Sequence, residues 1–68
     1  MKPFVIDIYR DGGHMVRKNR VESDSLEAAL QVMELRTSLS DVNRIVVSRR
    51  LGGGGLSKVK VWTRNMSS

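Results

Sequence analysis

The chain has 68 residues and no cysteine, which excludes disulfides and thiolate metal sites, and its length leaves little room for a catalytic cleft. We expect a single domain over residues 1–64 and a flexible tail at 65–68, in a cytoplasmic protein, because no stretch approaches the roughly 20 apolar residues of a membrane span. Twelve Lys and Arg against seven Asp and Glu give a net charge of +5, which favours negatively charged partners.

The N-terminal part of the chain predicts a β-hairpin. Residues 4–10 are rich in β-branched and aromatic side chains and run into the turn signal Asp11-Gly12-Gly13, after which a second strand is predicted over about 14–21. Side chains alternate across a strand, so the first strand has two distinct faces. The better core face carries Phe4, Ile6 and Ile8, and the other face carries Val5, Asp7 and Tyr9.

A helix is predicted after this hairpin. Asp24 or Ser25 can cap its first turn, and Glu27 suits the positive end of the helix dipole. Four apolar residues follow at helical spacing and predict one core-facing stripe that ends near residues 36–38. The stripe consists of Leu26, Ala29, Leu30 and Met33.

Two further strands complete the chain. Residues 43–50 predict a third strand with Ile45 and Val47 facing the core, and residues 57–64 predict a fourth, joined to it by a loop with four consecutive glycines. With both hairpins antiparallel and the helix crossing one face, the first and third strands pair at the centre. The predicted fold is therefore α+β, a ββαββ chain whose four-stranded antiparallel sheet has the order 2-1-3-4 and one helix on one face.

The last strand gives the strongest functional signal. Alternation predicts Val59, Val61 and Thr63 toward the core and places the only tryptophan of the chain among cations on the opposite, uncovered face. A large aromatic residue on such a face suggests a binding surface. The predicted residues for binding a partner or nucleic acid are Tyr9, Arg44, Arg49, Arg50, Lys58, Lys60, Trp62 and Arg64.

This face allows several interpretations. Its cations could meet phosphates while Tyr9 or Trp62 stacks on bases, or the same side chains could bind an acidic protein surface. A solvated face, with Lys and Arg stems covering the aromatic rings, is the simplest alternative. The chain could also be a homodimer that pairs an edge strand across a two-fold axis, so both a monomer and a homodimer remain open.

The sequence offers no set of residues suited to catalysis or to cofactor binding. The glycine run lacks the Gly-Lys-Ser/Thr ending and the following helix of a phosphate-binding loop, so a flexible hairpin connection is the expected role. His14 has no second histidine or cysteine with which to bind a metal, and we expect it in a surface turn. No serine pairs with a base. We therefore predict a non-enzymatic protein without cofactor or metal.

The stretch from Lys2 to Leu51 resembles an inhibitor family of bacterial RNA polymerase that T-odd podophages encode. The resemblance lies in Lys2-Pro3-Phe4 opening a strand, in a strand that leads into residues 21–30, and in Ile45-Val46-Val47 followed by an arginine pair. Small basic anti-CRISPR proteins are similar in layout. The glycine loop and the fourth strand depart from the inhibitor family.

The resemblance implies a phage protein of host takeover that attaches to a host nucleic-acid machine such as RNA polymerase. Members of the family use a strand and charged side chains to occupy a site on the polymerase, which implies a role for Arg44, Arg49 and Arg50 here. The leading hypothesis is thus protein–protein interaction with an acidic patch of such a machine. The alternative is direct nucleic-acid binding that is largely independent of sequence.

Overall fold

A computed structural model describes residues 2–12 and 15–64, which form one helix and one four-stranded sheet. In chain order the elements are β1 (Phe4–Asp11), β2 (Val16–Ser23), α1 (Leu26–Thr37), β3 (Val42–Arg50) and β4 (Leu56–Thr63). The strands pair antiparallel in the order β2-β1-β3-β4, which confirms the predicted α+β architecture. His14 and the predicted tail lie outside the described residues. No described helix is long and apolar enough to cross a membrane.

The strand register places the core on the predicted side of the sheet. Ile6 lies between Val21 and Val47, and Ile8 lies between Asn19 and Ile45. Apolar burial is the main driving force for folding, and these central strands supply most of it. The buried cluster consists of Ile6, Ile8, Ala29, Met33, Val42, Ile45 and Val47.

The helix begins where the sequence predicts. Ser25 is its N-cap, in an extended conformation, and the Ser25 Oγ accepts a hydrogen bond from the Ala28 N–H at 3.2 Å. Ala29 and Met33 of the predicted stripe are buried and Leu30 is half-buried, whereas Leu26 in the first turn is exposed. The core-facing part of the helix therefore starts at Ala29.

Loss of this cap should lower stability measurably. We expect Ser25→Ala to lower the free energy of unfolding by about 1 kcal/mol, because the Ala28 N–H loses its acceptor. In a domain of this size such a loss lowers the melting temperature by about 4–8 °C. Thermal unfolding followed by circular dichroism would measure it, with Ser57→Ala as the control, because Ser57 is exposed in β4. Equal melting temperatures for the two variants would contradict the cap.

The position of α1 leaves one strand uncovered. The helix lies over β1, β2 and β3, but no Cα atom of α1 comes within 8 Å of one in β4. β4 is therefore an edge strand without a helix above it.

Candidate functional site

The face of the sheet that α1 does not cover, called the open face below, differs from the prediction along β4. Trp62 lies opposite Ile45, and Lys60 lies opposite Val47, so both side chains are on the helix side. Val61 lies opposite Val46 on the open face and is 43% exposed. The predicted orientation of β4, with Val59, Val61 and Thr63 inward, is wrong.

The contacts of Trp62 give one physical reason for this reversal. The indole is half-buried and packs against the core cluster. A tryptophan side chain buries far more apolar surface than a valine does, so an orientation that buries Trp62 at the expense of Val61 lowers the free energy of folding. The lone aromatic residue among cations therefore belongs to the core, although the sequence places it in a polar strand.

Arg64 gives the second reason. Its Nε donates to the Val42 carbonyl oxygen at 3.1 Å, and its Nη2 donates to the carbonyl oxygens of Leu39 and Thr37 at 2.7 and 3.4 Å. The guanidinium also lies 5.3 Å from the Trp62 ring centroid. These bonds fix the end of β4 to the segment between α1 and β3. Arg64 was predicted to bind a partner, but its guanidinium instead makes hydrogen bonds within the fold.

A β-bulge separates Lys58 from Lys60. The register shifts by one residue between Val47 and Ser48, so that Lys60 lies opposite Val47 while Lys58 lies opposite Ser48. Val59 is the extra residue in β4. Lys58 therefore faces the open side as predicted, although Lys60, two residues away, faces the helix side.

Tyr9 and Arg44 occupy the centre of the open face. They are cross-strand partners of β1 and β3, and the guanidinium carbon of Arg44 lies 5.6 Å from the ring centroid of Tyr9. This cation–π contact holds the guanidinium over the sheet while leaving its N–H groups available to a partner. The prediction that both residues lie together on this face is confirmed.

Two ion pairs cover the rest of the open face. Arg20 Nε donates to Asp7 Oδ1 at 2.8 Å, and Arg50 pairs with Glu22 across β1, on which Val5 is fully buried. The hydrogen bond that Arg20 donates to Asp7 and the negative charge of Asp7 raise the pKa of Arg20 above its ordinary value. Because the pKa of Arg20 is higher in the folded state, its pairing with Asp7 stabilises the fold at every pH below the normal arginine range. This stabilisation is lost only as the pH rises through the folded-state pKa. Arg20 thus stays charged under all physiological conditions.

The eight predicted binding residues fall on two faces. Arg49 lies opposite Phe4, on the helix side of the sheet. Lys60, Trp62 and Arg64 lie on the same side, as described above. Because the two faces of a sheet point in opposite directions, the predicted site is not one contiguous surface. The open face holds Tyr9, Arg44, Arg50 and Lys58, and the helix side holds Arg49, Lys60, Trp62 and Arg64.

Some open-face residues were missing from the prediction. Val61 is exposed on the open face, Val59 is exposed at the bulge beside Lys58, and Lys18 lies opposite Tyr9 on the open face. The hairpin register alone would have found Lys18, because a strand pairing across the Asp11-Gly12-Gly13 turn brings it next to Tyr9. The two valines gave no such signal, since their alternation predicts a core face.

The charged side chains differ between the two sides of the molecule in how they are paired. Asp24, Glu27 and Glu34 are exposed at the start of α1 and along it, whereas the acidic groups Asp7 and Glu22 on the open face are paired with arginines. Lys18, Arg44 and Lys58 form no ion pair within residues 2–12 and 15–64. The open face therefore presents uncompensated positive charge, whereas the helix side carries both signs, because it also holds the exposed cations Arg17, Arg36, Arg49 and Lys60.

A groove lies between α1 and β4 on the helix side. It encloses about 410 Å³ and is lined by apolar side chains of α1, by Trp62 and by polar groups at its rim. Within the described part of the chain, no group of His, Cys, Asp and Glu is placed to hold a metal ion. The lining residues are Leu30, Met33, Glu34, Thr37, Lys60 and Trp62.

The fold and these surfaces define a small basic α+β protein with one helix on a four-stranded antiparallel sheet and a cationic open face. No protein-family model, no curated protein and no solved structure matches the chain. The functional argument therefore depends on the residues themselves.

Proposed function

We propose that this chain is a non-enzymatic binding protein whose open face attaches to an acidic patch of a partner protein. The observation that carries the proposal is the Arg44–Tyr9 stack on the two central strands, with the exposed Val61 diagonally beside Arg44 and with Lys58 farther along β4, opposite Ser48. Arginine and tyrosine held in place by mutual stacking, next to partly exposed apolar groups, are typical of the centre of a protein interface. Ion-paired side chains form its rim.

The resemblance to podophage inhibitors suggests which partner to test. We propose a phage-type inhibitor or modulator of a host nucleic-acid machine such as bacterial RNA polymerase, acting in the bacterial cytoplasm. Of the residues that the resemblance implies, Arg44 lies on the open face, and the exposed Arg49 lies on the other side of the sheet. Arg44 is therefore the position on which we base the test.

Direct nucleic-acid binding is the alternative, and the open face favours it less. Trp62, the predicted stacking platform, packs on the core, and the guanidinium of Arg44 covers the ring of Tyr9. Arg20 and Arg50 already have carboxylate partners, which leaves three open-face cations without an ion pair among the residues that the structure describes. Neutralising three phosphates gives a slope of about −3 in log affinity against log salt, typical of weak binding.

The experiment is capture of partners from a bacterial extract by the immobilised chain, with and without nuclease treatment. We expect a nuclease-resistant complex of fixed stoichiometry, and we expect Arg44→Gln to reduce its yield at least about tenfold, since a central arginine is often worth 2 kcal/mol or more. Purified RNA polymerase would then be tested directly for the same dependence.

Arg17→Gln is the matched control. Arg17 is an exposed arginine of β2 opposite Arg10, so this variant loses the same charge on the other side of the sheet. We expect it to retain the complex. Equal losses from both variants would show that only net charge matters, and capture that nuclease abolishes would replace the proposal with nucleic-acid binding.

A further inference from the structure

We infer that the free edge of β4 is a docking site for an extended acidic segment of the partner, which pairs with it as a fifth strand. This inference rests on the proposed function and gives its partner a mode of attachment. The edge, the adjacent groove and the charge around them each contribute an independent part of the argument.

The backbone of β4 supplies unpaired hydrogen-bonding groups. The Arg64 N–H donates to the Asn43 carbonyl oxygen at 2.9 Å, so these two residues form a hydrogen-bonded pair of the β3–β4 ladder. Such pairs alternate with non-bonded ones in an antiparallel ladder. Val61 and Thr63, opposite Val46 and Arg44, therefore direct their N–H and C=O groups to the outside, where no other described strand lies.

The surfaces on both sides of this edge can receive the side chains of an added strand. On the helix side, the space that α1 leaves uncovered is the groove beside Trp62, with Leu30 and Met33 on its opposite wall. On the open side lie the exposed Val61 and the cation Lys58. Alternate residues of an added strand would thus meet an apolar groove on one side and a cationic face on the other.

Charge selects the occupant of the edge. Lys58 and Lys60 lie within β4, and Arg44 lies beside it on β3. Pairing of β4 with a second copy would place a second basic strand, with its own Lys58, Lys60 and Arg64, beside this one, and like charges on adjacent strands are destabilising. A strand with acidic side chains toward the open face and apolar side chains toward the groove satisfies both surfaces.

The probe for this inference is a short capped peptide of alternating glutamate and valine, added to the intact chain. Amide hydrogen exchange by NMR reports the pairing residue by residue. At a peptide concentration about ten times its Kd, the Val61 and Thr63 amides should exchange about tenfold more slowly, because protection grows as 1 + [L]/Kd. The Trp62 amide, already in the ladder to β3, should change much less.

Three controls make the result specific. A peptide of the same composition with its glutamates and valines in separate blocks should protect neither amide. A peptide N-methylated on the edge that faces β4 cannot pair and should lose the effect. Thr63→Pro removes one outward N–H without breaking a bond to β3 and should weaken binding, whereas Thr63→Val should not.

The possible results separate this inference from the proposed function. Peptide binding that perturbs Tyr9 and Arg44 but leaves the exchange of Val61 and Thr63 unchanged would overturn strand addition and leave the open-face proposal standing. Protection that grows with the concentration of the chain alone would assign the edge to a second copy and overturn the inference. No protection at millimolar peptide would also overturn it, whereas the Arg44→Gln capture experiment decides the proposed function separately.

Discussion

Trp62→Ala is expected to lower the free energy of unfolding by about 2–4 kcal/mol. Truncation of a buried tryptophan costs about 3–5 kcal/mol, and the lower part of that range applies because the indole is half-buried against the core. Since a domain of this length holds only about 3–5 kcal/mol of net stability, the variant should be close to unfolded at room temperature. Urea unfolding followed by circular dichroism would measure the loss, because the variant has no tryptophan fluorescence.

The matched control for Trp62 is its neighbour on the other face. Val61 is 43% exposed, so Val61→Ala should cost less than about 1 kcal/mol. A Trp62→Ala variant with the unfolding midpoint of the wild type would show that the indole does not pack on the core. The sequence-based hypothesis predicts that outcome, because it places Trp62 on a binding surface.

Arg64→Met is expected to lower the free energy of unfolding by about 2–3 kcal/mol. The substitution keeps an apolar stem beside Trp62 but removes the donors to the carbonyl oxygens of Thr37, Leu39 and Val42. Hydrogen bonds to a charged group contribute about 1.5–3 kcal/mol each, and the water that can reach these half-buried groups reduces the sum. Denaturant unfolding monitored by Trp62 fluorescence would detect both the loss and a change around the indole.

Lys60→Met is the control for this variant. Lys60 is exposed on the same side of β4 and has no hydrogen bond or ion pair within the described residues, so the same loss of charge should change stability by less than about 0.5 kcal/mol. Arg64→Lys should fall between the two, because an ammonium group cannot reproduce the fork of the guanidinium. Equal stability of Arg64→Met and Lys60→Met would contradict the structural role of Arg64.

These two residues show how a binding assay could mislead. Trp62→Ala and Arg64→Met would both reduce partner capture, but through unfolding. Arg44→Gln changes an exposed residue whose described contact is the stack on Tyr9, so a loss of binding there reports on the surface itself. Comparison of binding with stability for each variant therefore separates the open face from the fold.

The order of the elements, the strand order and the core of the central strands could all be predicted from the residue pattern. Local signals sufficed there: the Ser25 cap starts the helix, and the β-branched runs on either side of Ile6 and Ile45 leave one apolar face each. Placing the two most apolar strands, β1 and β3, side by side at the centre of the sheet then buries both apolar faces under the helix. Tyr9 and Arg44 shared the open face for the same reason.

Which side chains of β4 point toward the helix depends on tertiary contacts. Alternation defines two faces of a strand but does not say which one is buried, and valines on one side of β4 compete with Trp62 on the other. Three tertiary features place Trp62 on the helix side and Val61 on the open face. They are the bulge at Val59, the carbonyl groups that bind Arg64 and the distance of α1 from β4. All three depend on residues distant in sequence, so the strand pattern could not place Lys60, Trp62 and Arg64 on the helix side, although the alternation from Ile45 and Val47 would have placed Arg49 there.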